Sequence, residues 1–147
     1  MKGTMKTLLA MGLCAAIGLV ATQTAFAQEH KEHAEQKQGG SKVKIPDTVD
    51  GILKVIHQHH EALAERVKAK KLGDVHHHAF AIRDLAKALP AKANPDHKKM
   101  VENAVKKVSQ IAEDLDKSGD EGDQAKTEAN LKKMDAALKT LEEHAKM

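Results

Sequence analysis

The chain has 147 residues, of which 24 are basic and 21 acidic, with a single cysteine and no tryptophan or tyrosine. That length suits one domain behind a leader, and charges so near balance give no electrostatic case for a nucleic-acid partner. Cys14 falls within the leader, so the rest of the chain lacks disulfides, thiolate metal ligands and any CxxCH motif for covalent haem.

Residues 1–27 read as a secretory signal peptide. Lys2 and Lys6 give a positive start, Leu8 to Val20 an apolar core, and Ala25-Phe26-Ala27 the small-x-small pattern of a cleavage site. The apolar run falls short of the ~20 residues a spanning helix needs, so no stable membrane insertion is expected after processing. Leu13 before Cys14 argues against a lipoprotein signal, and the expected location is periplasmic or secreted. Residues 28–46 begin QEHKEHAEQKQGGS, which has too little apolar surface to offset ordering entropy and reads as a flexible tail rich in His, Glu and Lys. Cleavage after Ala27 would expose Gln28-Glu29-His30. A free amine, two backbone nitrogens and the His30 imidazole would then make a square-planar set suited to Cu(II) or Ni(II). His33, Glu29, Glu32 and Glu35 add donors nearby, and cyclisation of Gln28 would remove the amine.

Residues 47–147 are expected to form four amphipathic helices of about 18–24 residues each. Pro46-Asp47-Thr48 opens the first, whose seam runs Val49, Ile52, Ile56, His59, Leu63 and Val67. Gly73-Asp74 makes a tight turn, with Asp74 available to cap the second helix along Val75, His78, Ile82, Leu85 and Leu89. Pro90 ends that helix. Asn94-Pro95-Asp96 is a strong start signal for the third, through His97, Val101, Ala104, Val108, Ile111 and Leu115. Gly122-Asp123 opens the fourth, through Leu131, Met134, Leu138, Leu141 and His144. Nothing alternates with period two, so no strand is expected. Short loops joining such helices give an all-α, antiparallel up-down-up-down four-helix bundle. An elongated coiled-coil hairpin is the competing arrangement.

The histidines carry the functional signal. With turns centred near 73, 92 and 120, antiparallel geometry sets His97 level with His144, at the height of residue 58 on the first helix. His57, His59, His60, His97 and His144 then share a layer near one bundle end, and His59, His97 and His144 lie on three different seams. Imidazoles converging from facing helices suit a divalent transition metal such as Cu, Ni, Zn or Co. His76-His77-His78 are expected at the opposite end, beside Lys68, Lys70, Lys106 and Lys107, and diverge around their helix. No Glu-x-x-His pair, phosphate loop, nucleophile elbow or HExxH occurs, so catalysis is not expected.

The layout resembles the small periplasmic four-helix b-type cytochromes, through the signal peptide, the mature length and the C-terminal stretch Leu141-Glu142-Glu143-His144-Ala145-Lys146-Met147. His144 matches the place of that family's histidine haem ligand. The family's other ligand is a methionine early in the first helix, where this chain offers Ile56 or His57 instead. The resemblance therefore implies haem b held by His57 and His144, or no haem. Three readings follow: a histidine-based metal binder for buffering, delivery or resistance; a haem electron carrier; or a structural bundle without a ligand.

Overall fold

The structure is a computed structural model that describes residues 43–147. The predicted signal peptide, most of the tail and the set Gln28, Glu29 and His30 lie outside the described residues. Among those described, all regular structure is helical: α1 (Val49–Lys68), α2 (Val75–Ala88), α3 (Lys98–Asp120) and α4 (Gln124–Lys146), with 3-10 turns at Leu72–Asp74 and Leu89–Ala91. Within the same residues no helix is long and apolar enough to cross a membrane. Each helix packs on the next in the chain, and α4 also touches α1, so the fold is a helical bundle.

The helix ends show why the chain breaks where it does. Thr48 Oγ1 accepts the Gly51 amide at 3.0 Å, and Asp123 Oδ1 accepts the Lys126 amide at 3.0 Å. Both satisfy first-turn donors that the helix itself cannot reach. α1 and α3 end in the same way: the Lys71 amide reaches back to Arg66 O, and the Asp123 amide to Ser118 O. This closure turns on a left-handed residue. At α3 the residue is Gly122, φ 67°, whereas at α1 it is Lys70, φ 58°.

Several expectations are corrected here. The tight turn at Gly73-Asp74 is present as the 3-10 turn Leu72–Asp74, but Asp74 makes no side-chain cap on α2; its carboxylate lies 3.5 Å from Arg66. Asn94 does cap a turn, accepting the Asp96 amide at 3.1 Å, but the helix proper begins at Lys98, with His97 as its N-cap. α2 has only 14 residues. Val43 packs on the core and Lys92 Nζ donates to Asp47 O at 3.0 Å, so the bundle begins ahead of residue 47.

Ile52, Ile56, Leu63, Val75, Ile82, Leu85, Leu115, Met134 and Leu141 are almost wholly excluded from solvent. Burying such side chains stabilises the fold by about 1.5–3 kcal/mol each. Ser118, Thr127 and Asn130 are the buried polar residues among those described, and Asn130 links two helices. Asn130 Nδ2 donates to Asp114 O at 3.0 Å and to Ser118 Oγ at 3.3 Å, which ties α4 to one height along α3. An unsatisfied buried amide would cost about 1–3 kcal/mol, so these bonds oppose sliding of one helix on the other.

Candidate metal centre

His76 lies in the first turn of α2, while Asp116 and Asp120 lie one turn apart at the C-terminal end of α3. The three residues each bring one donor atom within 4.8 Å of the others. Among the described residues this is the only trio of metal-ligating side chains so arranged. Donors on opposite sides of an ion bonded at about 2.1 Å lie roughly 4.2 Å apart, so small rotations close the set around one cation.

The backbone brings these groups together. A Cβ on Gly119 would stand 2.8 Å from Leu72 O and 3.3 Å from Val75 Cβ. Only a residue without a side chain lets α3 press this closely on the turn leading into α2. That approach sets the faces carrying Asp116 and Asp120 beside His76. The placement is also electrostatically uneven. The aligned peptide dipoles leave partial negative charge at the end of α3, and carboxylates four residues apart repel one another. Two aspartates there oppose both effects, and a divalent cation relieves both.

On the other flank of α2, His59 Nδ1 and His78 Nδ1 are 3.2 Å apart. Their ring centroids are 5.5 Å apart, so the rings meet through their nitrogen edges rather than their faces. Burial holds both imidazoles below their ordinary pKa. His78 is lowered further by the positive charges of His59, Arg66 and His77, against an opposing pull from Asp74.

Of the other expected ligands, His57 and His60 turn to carboxylates of α4. His57 Nε2 lies 3.2 Å from Glu142 Oε2 across the α1–α4 seam. Glu142 in turn accepts from Lys146 Nζ at 2.6 Å, and that hydrogen bond, with His57 as a smaller cause, holds its carboxyl below the usual range. His60 Nε2 approaches Asp135 Oδ1 to 2.7 Å but without hydrogen-bond alignment. His97 and His144 are half-buried, each with an Nδ1 atom that is shielded from solvent and unmatched by a protein group. The layer expected of His59, His97 and His144 is therefore not assembled as a ligand trio, since His59 turns to α2. His57, the first-helix haem candidate, turns to Glu142, while Ile56, Leu138 and Leu141 are buried in the common core.

Register explains the difference. α1 ends at Lys68, and the α2–α3 connection runs through a 3-10 turn and a capped bend before α3 starts. Both features displace α2 along its neighbours relative to turns centred at 73 and 92. His78 therefore meets α1 at His59, and His76 meets the end of α3 rather than a lysine layer. The sequence did carry one signal for the aspartates, their four-residue spacing, but nothing local linked them to His76. No protein-family model, curated protein or solved structure matches the chain.

Proposed function

We propose that the chain is an exported, non-enzymatic helical-bundle protein that binds a divalent transition-metal ion, in metal buffering, delivery or resistance. The observation that carries this reading is the convergence of His76, Asp116 and Asp120. One imidazole and two carboxylates form a mixed nitrogen–oxygen set between the softer and harder donor classes, which suits Zn(II) or Co(II), with Cu(II) the tightest competitor. Export rests on the leader pattern of residues 1–27. An up-down-up-down course is part of the same proposal. The pairs His57–Glu142, His60–Asp135 and Val67–Gln124 step in opposite senses along α1 and α4, and short loops favour antiparallel neighbours.

The test is melting temperature against added Zn(II), Co(II), Ni(II) and Cu(II) at pH 7.5 and pH 5.5. The chain should carry His30→Ala and His33→Ala, so that the N-terminal set cannot answer for the bundle. Metal binding only the folded state adds about 2.7 kcal/mol at a hundredfold excess over Kd. The gain should shrink at the lower pH, where imidazole binds protons in place of metal. His76→Ala and Asp120→Asn should each reduce it. Absence of a shift at pH 7.5, or an equal shift in His76→Ala, overturns the reading.

A further inference from the structure

We infer that His59 and His78 form a second transition-metal site, made of imidazole nitrogens alone, that clamps α1 to α2. Their Nδ1 atoms are 3.2 Å apart. Two nitrogens bonded to one ion at 2.0–2.1 Å and the tetrahedral angle stand about 3.3 Å apart, so the pair already has the required bite. The rings approach through their nitrogen edges, with centroids at 5.5 Å, which brings the two Nδ1 atoms together between the helices. Without metal, one Nδ1 donates its proton to the other. Binding an ion shifts that proton to Nε2 of the same ring by way of solvent, so both rings stay neutral, and replaces the hydrogen bond with two coordinate bonds, with water completing the shell. Residues two apart on a helix point about 160° apart, so His78 faces α1 from the flank of α2 opposite His76. The two sites differ in donor class. An all-imidazole pair favours Cu(II), Ni(II) and Zn(II), while the His76 site with its two carboxylates tolerates harder ions such as Mn(II). Arg66, paired with Asp74 at 3.5 Å, adds positive charge near His78 and works against the more weakly held ions.

This site stands independently of His76, and the experiment separates the two. The chain carrying His30→Ala and His33→Ala, with 15N-labelled histidine, is titrated with Zn(II) at pH 7.5 while the imidazole nitrogens are followed by NMR. The Nδ1 signals of His59 and His78 should move together over the same range of added metal. His59→Gln should abolish the movement at His78 and leave the response at His76, and His76→Ala should do the reverse. Unmoved Nδ1 signals of His59 and His78 in the unsubstituted bundle would overturn the inference without any variant having to fold. A His78 response that persists unchanged in His59→Gln would also overturn it, because His78 would then bind without its partner. A response at His59 and His78 with none at His76 would uphold this site and remove the His/Asp one.

Discussion

At the scale of single residues, the half-buried imidazoles of His59 and His78 contribute to the acid response of the bundle. Burial lowers the folded-state pKa of His59 and His78 from the ordinary 6.5. The unfolded chain therefore takes up protons at a higher pH than the folded one, and stability rises with pH across the interval between the two values. Urea denaturation with a chelator present should show stability falling as the pH drops below 6.5, with His59→Gln flattening the profile. A profile equally steep in that variant would assign the acid response to other groups. Lys70 makes a second prediction. It holds a left-handed conformation at φ 58° where the matching position after α3 is Gly122. Lys70→Gly should stabilise the fold by about 1 kcal/mol, because the strain of a side chain there exceeds the added freedom of glycine in the unfolded state. A loss of stability in the urea midpoint would contradict this. Neither feature is legible in the sequence, since a lysine carries no turn signal and Gly73, two residues before Val75, is the stronger one.

At the scale of helices, existence and apolar faces are readable from the sequence and relative height is not. Ile52, Ile56, Leu63 and Val67 recur at helical spacing, and all four are buried. The three- and four-residue steps come from local geometry that any solvent-facing helix must obey. Register depends on how much length each connection consumes, and a 3-10 turn or a capped bend changes that without altering the periodicity. For this reason His59 meets His78 on α2 instead of joining His97 and His144 in a ligand trio. Gly119 is the contact that decides the height of α3 against α2, because a Cβ there would stand only 2.8 Å from Leu72 O. Gly119→Ala should cost about 1–3 kcal/mol by overpacking. It should also weaken the metal-dependent gain in melting temperature, by moving Asp116 and Asp120 away from His76. A stable variant with an unchanged metal response would show that the approach at Gly119 does not position the site.

At the scale of the whole molecule, one apolar core holds four helices while the candidate ligands sit on the flanks of α2, near where it begins. The core is readable because Leu, Ile, Val, Ala and Met are the residues available to fill it. Leu63, fully buried on α1, should cost ~2–5 kcal/mol on change to Ala, measured by thermal or urea unfolding. The site is less readable because its donors come from distant parts of the chain, Asp116 and Asp120 against His76, and meet only through the packing of α3 on the turn before α2. The resemblance to four-helix cytochromes points instead to the α1–α4 seam, where His57 pairs with Glu142. The proposed metal set and the haem alternative of His57 and His144 would thus fall on different seams, and each would leave its own signature on the isolated protein. The direct measurement is metal content together with visible absorption of the protein purified from its native cell. Metal binding at His76, Asp116 and Asp120 predicts a stoichiometric divalent transition metal whose content falls by one equivalent in His76→Ala, with no Soret band. A Soret band, or a protein free of metal under metal-replete growth, would contradict it.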